Sequence, residues 1–169
     1  PGFPRTDSDS NRSFTPKLGV EFKPVNDVLI YATASKGLKS GGYNLGANVP
    51  AFKPESIWAY EGGLKATTAG GRLRTNFAGF YYDYKNLQVS KIVNTSAIIE
   101  NAAAAELYGL EAEFTARLID HLQLDGTAAW LHTEYKGFSS IDPGRPGLGT
   151  LALTGNRLTQ APPFIGNLG

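Results

Sequence analysis

A glycine-rich stretch at residues 37–42 contains the residue types that could hold a phosphate group. Lys39 and Ser40 lie among glycines, whose backbone N–H groups can line a bound anion. A phosphate-binding loop, however, places its Gly-Lys-Ser/Thr sequence four residues after a first glycine and leads directly into a helix. Here the Lys-Ser pair precedes the next two glycines. The stretch therefore indicates the point where a strand passes into a loop.

The remaining candidates for chemistry are two histidines and a pair of glutamates. His121 lies in a predicted turn, and His132 near the end of a predicted strand fits better with neighbouring aromatic residues. Neither has carboxylates at a spacing that predicts a zinc site. Glu111 and Glu113 share a strand face and could form an acid/base pair, but this spacing is also typical of a hydrated surface. With no nucleophile elbow around any serine, we expect no catalytic residue, no metal site, no cofactor and no enzyme activity.

Composition favours strands over helices. The chain has 169 residues with 20 Gly, 8 Tyr and 9 Phe, a net charge of +1 and no Cys. Its mean hydropathy is -0.21, and no stretch approaches the roughly 20 apolar residues that a spanning helix requires. Strands of a membrane barrel need only about 9–11 alternating residues. The nearly neutral charge gives no field that would attract nucleic acid, so nucleic acid is not an expected partner.

Segments in which apolar and polar residues alternate are joined by connections that are short, then long, then short again. This rhythm is typical of an antiparallel up-and-down transmembrane β-barrel, which has tight turns on one side and large loops on the other. Both faces of the second segment are largely apolar, so its register stays undecided. The predicted strands are 15–23, 28–36, 56–67, 72–85, 106–117, 122–136 and one beginning at 161; the long loops are 37–55, 86–105 and 137–160.

The two faces of these strands differ in chemistry. Aromatic residues lie near the long-loop ends of the apolar face, as in a membrane-interface girdle: Trp58, Tyr60, Tyr81, Tyr108 and Trp130. Charged residues keep to the other face and are predicted to line a lumen: Glu61, Lys65, Arg74, Glu111, Glu113 and Arg117. The strands of a soluble β-sandwich would also show alternating apolar and polar residues, but the aromatic girdle favours the barrel.

Turn lengths also predict cross-strand partners. Pairing Thr67 with Arg72, and Leu118 with Leu122, would place an aromatic ring over a glycine on a neighbouring strand, a known sheet device. The same register sets two like charges against each other, which is unfavourable. The predicted pairs are Phe77 with Gly62, Tyr60 with Gly79, Phe114 with Gly126, and Lys65 with Arg74.

Several segments, in their order and spacing, resemble the barrel domain of TonB-dependent outer-membrane receptors. The resemblance covers about residues 14–169. Its segments are FTPK at 14–17, YATASKGLKSGGYN at 31–44, FKPE at 52–55, YEGGLK at 60–65, NFAGFYYDY at 76–84, YGLE at 108–111 and GNRL at 155–158.

The resemblance implies a barrel of about 22 strands closed by a separate N-terminal plug. It also implies energised uptake of a scarce ligand, such as a ferric siderophore, cobalamin or an oligosaccharide, across the bacterial outer membrane. Expected partners are outer-membrane lipid, the plug domain, the TonB energy-coupling complex and that ligand. Because residues 1–169 include no plug or energy-coupling box, we expect a partial barrel domain of about six to seven strands.

Ligand contacts are expected from the long loops, where polar and aromatic groups stand on a rigid scaffold. The candidates are Tyr43, Asn44, Phe52, Arg145 and Arg157. Alternative functions are a small passive porin or structural outer-membrane barrel, an enzyme on such a barrel, and a soluble β-binding module.

Overall fold

The computed structural model describes residues 12–44, 49–93, 96–142 and 144–169. No helix in these parts of the chain is long and apolar enough to span a membrane. Regular structure consists of strands and two single-turn 3₁₀ segments. The strands are β1 (Lys17–Val25), β2 (Val28–Lys39), β3 (Glu55–Thr68), β4 (Leu73–Lys85), β5 (Gln88–Val93), β6 (Ser96–Asn101), β7 (Ala104–Ile119), β8 (Leu122–Gly137), β9 (Ser139–Ile141), β10 (Thr150–Ala152) and β11 (Phe164–Leu168).

Seven of these strands form one antiparallel sheet. Their order is β1-β2-β3-β4-β7-β8-β11, so each main strand pairs with the next main strand along the chain. This confirms the all-β, up-and-down prediction. β2, β7 and β8 run further than predicted, and two long connections carry their own strand pairs, β5 with β6 and β9 with β10. Residues 1–11, and the predicted loop residues 45–48, 94–95 and 143, lie outside the described ranges.

Pairing on both sides decides the faces of β2. Ala32 pairs with Val20 on β1 and with Gly62 on β3, whereas Tyr31 pairs with Glu21 on β1. Directly opposed residues of neighbouring strands point to the same side of a sheet. The even-numbered residues of β2 therefore join the apolar face, and the odd-numbered residues join the charged one.

The predicted register between β3 and β4 is wrong by one residue on each strand. The turn begins one residue later than expected, because Ala69, Gly70 and Gly71 adopt φ values of 54°, 64° and 86°. Such left-handed residues belong to the turn rather than to a strand. Since both strands shift by one residue, every side chain keeps its predicted face. The observed pairs are Thr68 with Leu73, Gly62 with Gly79, Tyr60 with Tyr81, Lys65 with Asn76, and Thr67 with Arg74.

Aromatic rings cover glycines as predicted, though mostly at other positions. Phe114 pairs with Gly126 and its ring lies over that glycine, which confirms one predicted pair. On the opposite face, the Tyr31 ring covers Gly63, where a Cβ would lie 2.6 Å from the ring. Phe80 covers Gly109 in the same way. The ring shields backbone that has no side chain of its own.

Buried apolar side chains are concentrated at the long-loop end of the sheet. Ala102, Ala105, Tyr135 and Phe138 form the buried cluster. Along the sheet itself the apolar face stays open, with Phe77 49% and Trp130 45% exposed. An exposed apolar face of this extent needs a cover that the described residues do not supply. Tyr84, Leu87, Val89, Leu153 and Leu158 pack against the buried cluster.

Candidate functional site

The predicted aromatic girdle forms a row across the apolar face. The rings of Trp58 and Tyr60 stack with centroids 6.0 Å apart, and Tyr60 lies 6.4 Å from Tyr81. Tyr108 contacts Trp130 at 5.9 Å and stacks on the His132 ring at 4.7 Å. Amphipathic rings at one level of an otherwise apolar face are typical of a membrane–water interface. His132 thus belongs to this row.

A cluster of charges lies beyond this row, on the same face and towards the long loops. Lys136 Nζ lies 2.6 Å from Glu106 Oε1 and 3.0 Å from Glu134 Oε2. His132 Nε2 lies 3.7 Å from the same Glu134 carboxylate. The change from aromatic to charged residues marks where the apolar band ends. Sequence reasoning missed this cluster. Its signal is that Glu106, Glu134 and Lys136 occupy alternate positions of β7 and β8 on the same face as the apolar residues of those strands.

The six predicted lumen-lining residues share the face opposite the girdle. Register places Glu61, Lys65, Arg74, Glu111, Glu113 and Arg117 there. Tyr31 Oη donates to Glu61 Oε1 at 2.7 Å, and Asn76 Nδ2 donates to Glu113 Oε2 at 3.1 Å. That this face lines a lumen stays a prediction.

A hollow of about 390 Å³ lies at the centre of this charged face. Small residues, Ala78 and Ala129, form part of its floor. Its rim carries Glu61, Glu111 and Glu113 against a single cation, Lys65. The hollow is therefore acidic, and a positively charged group is its natural complement.

The charged face becomes aromatic towards the long loops. Phe80 and Tyr82 stack with centroids 4.9 Å apart. Tyr84 continues the series and packs on the buried cluster at the loop end. This face thus changes from carboxylates and ammonium groups to rings within the length of β4.

Two of the five candidate ligand residues make contacts within the loop region: Asn44 joins the first long loop to the second, and Phe52 closes the first loop on itself. Asn44 Nδ2 donates to the Ile99 carbonyl at 2.9 Å, and its Oδ1 accepts the Ile99 N–H at 2.7 Å. Phe52 pairs with Gly42 through two backbone hydrogen bonds of 3.0 and 2.9 Å. Its ring lies over that glycine. Tyr43, next to Asn44 in the chain, is 45% exposed and keeps its ring available.

Both candidate arginines contact groups of their own loop or the adjoining strand. Arg145 Nε donates to Asp142 Oδ2 at 3.1 Å. The Gly144 N–H and this guanidinium together hold the pKa of the Asp142 carboxyl below its ordinary value. Arg157 Nη2 donates to the carbonyls of Leu131 at 2.9 Å and Ala161 at 3.2 Å. A ligand role for any of the five residues stays a prediction.

The three long connections enclose a groove of about 1030 Å³. Its polar lining includes Lys91, whose Nζ lies 2.7 Å from Glu100 Oε2 and 2.8 Å from Ser140 Oγ. Sequence reasoning missed these three residues because 86–105 and 137–160 were predicted as long loops. Among the described residues, no group of three or more His, Cys, Asp or Glu could hold a metal ion. Phe52, Ile98, Phe138 and Ile141 supply apolar walls of the groove.

Comparison with known proteins identifies relatives over nearly the whole chain. The metal-pseudopaline receptor CntO of Pseudomonas aeruginosa strain UCBPP-PA14 is 29% identical over 160 residues, which is 94% of this chain and 21% of the relative. The chain thus spans about a fifth of that curated relative.

Solved structures show the same fold. The ferric yersiniabactin uptake receptor FyuA from Yersinia pestis gives a TM-score of 0.69 at 22% identity, covering 90% of this chain and 22% of that one. The siderophore receptor PiuA from Acinetobacter baumannii gives 0.70 at 20% identity, with the same two coverages of 90% and 22%. The family model described as TonB dependent receptor-like, beta-barrel, matches residues 2–169. The chain belongs to the β-barrel family of TonB-dependent receptors.

Proposed function

We propose that this chain forms part of the wall and outer loops of a bacterial outer-membrane receptor that takes up a metal-chelating small molecule. One observation carries the proposal: a seven-stranded sheet has an aromatic-bordered apolar face on one side and a charged face on the other. Such two-sided strands suit lipid outside and a hydrated interior within. Relatives named as receptors for metal-pseudopaline and ferric yersiniabactin support the ligand class.

Uptake by the complete receptor tests this function. A strain lacking the gene should lose accumulation of a radiolabelled ferric siderophore, and the restored gene should recover it. Collapse of the proton-motive force should abolish this uptake, because the energy would reach the receptor from the inner membrane. Uptake that continues unchanged without that energy would instead favour the passive porin. The panel of probes should include ferric chelates, cobalamin and an oligosaccharide, since each class was expected from the resemblance.

The acidic hollow is proposed to contact the plug domain of the complete receptor. Glu61, Glu111 and Glu113 outnumber Lys65 around it, and Glu111 faces the small side chain of Ala78 across the ladder. A partner inside the barrel that presents a guanidinium or ammonium group would make charge-assisted hydrogen bonds with these carboxylates. The hollow thus favours a plug with a basic surface at this level.

Removing two of these carboxylates should loosen the plug. In the double variant Glu61→Gln and Glu111→Gln, we expect plug docking to weaken by about 2 kcal/mol, because each charge pair with the barrel would be lost. The measurement is the urea concentration at which the plug becomes sensitive to protease, in full-length receptor held in detergent micelles.

Glu21→Gln is the matched control. Glu21 lies on the same face but outside the hollow, on β1. We expect its urea midpoint to equal that of the unmodified receptor. A loss in the control of half that of the double variant or more would mean that total charge, rather than the hollow, governs docking, since the control removes one carboxylate and the double variant two. An unchanged double variant would contradict the proposed contact.

A further inference from the structure

Two asparagines fasten the first long connection to the second. Asn44 uses its carbonyl oxygen and its amide nitrogen on the two backbone groups of Ile99, at 2.7 and 2.9 Å. Asn101, in the second connection, binds the first in the same way: it accepts the Lys53 N–H at 2.7 Å and donates to the Lys53 carbonyl at 3.0 Å. It also donates to the Asn86 carbonyl at 2.8 Å. Each connection therefore supplies one asparagine that grips the backbone of the other.

This geometry copies a step of a β-ladder. A primary amide carries one acceptor and two donors, so a single side chain can replace the paired N–H and C=O of a neighbouring strand. The arrangement satisfies backbone groups that strand pairing would otherwise leave open. Aspartate, which has nearly the same shape, would lack the donors and place charge against carbonyl oxygens.

Gln88 strengthens the same junction. Its backbone N–H donates to Glu55 Oε2 at 2.7 Å, and its side-chain Nε2 donates to the carbonyls of Ser40 at 2.9 Å and Lys53 at 3.2 Å. These bonds join the start of β5 to both ends of the first connection. The two connections thus share a network of polar contacts rather than one isolated bond.

The third connection is fastened to the second by charge and by apolar packing. Ser140 Oγ lies 2.8 Å from Lys91 Nζ and donates to Glu100, so one hydroxyl touches both members of the ion pair. Phe138 belongs to the buried cluster with Ala102. The Ala103 N–H donates to the Gly137 carbonyl at 2.7 Å. The second connection is therefore held on both sides.

We propose that Asn44 and Asn101 are positioning residues that join the described parts of the first two long connections, 40–44 with 49–54 and 86–93 with 96–103, into one body. The contacts of Ser140 with Lys91 and Glu100 extend this body to the described part of the third, 138–142 with 144–160. The groove between them is then built before any ligand arrives, and displacement of one connection moves the others. The proposal rests on the proposed function only in assuming that these connections lie on the side where ligand approaches. The test needs no ligand, so its outcome is independent of uptake.

Hydrogen exchange of the full-length receptor in detergent micelles tests the proposal. In Asn101→Asp and in Asn44→Asp we expect amides of the first and second connections to exchange about tenfold faster, because local opening becomes easier. Amides of 138–160 should accelerate as well, although neither substitution touches them. Amides in the middle of β3 and β7 should be unchanged, which shows that the barrel remains folded.

Asn156→Asp controls for the added charge. Asn156 lies in the third connection, is exposed, and bonds Tyr135 and Leu153 through its backbone groups, which the substitution leaves in place. We expect no acceleration in the first two connections from this variant. If Asn101→Asp and Asn44→Asp accelerate exchange only beside the substituted residue, or not at all, the three connections move independently and the proposal is wrong.

Discussion

Ala128→Arg should prevent stable insertion of the barrel, whereas the adjacent Ala129→Arg should be tolerated. Ala128 lies on the apolar face, paired with Ala112 and Gly166. Ala129 lies on the charged face, paired with Glu111. A lipid-facing arginine near the bilayer midplane costs about 2–4 kcal/mol, while an arginine opposite Glu111 can pair with that carboxylate. The measurement is urea unfolding of the full-length receptor in lipid vesicles, together with heat-modifiable gel migration.

The two alanines form a matched pair. They are neighbours on β8, have the same side chain and receive the same substitution, so strand propensity and net charge cancel in the comparison. Equal stability of the two variants would contradict a lipid-facing apolar side. Greater damage from Ala129→Arg would mean that the charged face is the buried one, as in a soluble sheet packed against another layer.

Gly109→Ala should destabilise the barrel by about 1–3 kcal/mol, the usual cost of overpacking a filled site. A Cβ at this position would meet the Trp130 carbonyl oxygen of β8 and would lie 2.7 Å from the Phe80 ring. Backbone cannot move away without opening the β7–β8 ladder. The free energy of unfolding from urea titration is the measurement.

Gly62→Ala serves as the control for the glycine substitution. Gly62 is also in the middle of a strand, but the nearest atom to its added Cβ is the Tyr31 carbonyl oxygen at 3.7 Å. We expect it to be neutral or to gain about 0.4–1 kcal/mol, because alanine restricts the unfolded chain. Similar losses in both variants would show that the ring over Gly109 is not the cause.

Alternation along the strands was sufficient to predict the faces of the sheet. Side chains change sides at every residue, so Glu111 and Phe114 could be assigned to opposite faces without knowing their neighbours. The family segments then predicted the class of barrel, which the family model confirmed. Where alternation was absent, as in residues 28–36, the faces could not be predicted from the sequence.

Cross-strand partners required the tertiary structure. The prediction paired Tyr60 with Gly79, but Tyr60 faces Tyr81 because the turn at Ala69 begins one residue later. Phe114 and Gly126 were paired correctly because the shift in register near the β7–β8 turn lies beyond them. A turn's starting point depends on a few backbone dihedral angles that residue types favour but do not dictate.

In the loop region, too, the sequence predicted the kind of segment but not the contacts between segments. Gly and Pro in residues 37–55 predicted one loop, and 86–105 was predicted as a second. Neither prediction indicated that Asn44 would bind Ile99 or that Asn101 would bind Lys53. The face of a residue is a local property with a period of two along the chain, so the sequence by itself determined it. Contacts between residues 48 and 55 positions apart depend on which strands become neighbours, and only the folded sheet decided them.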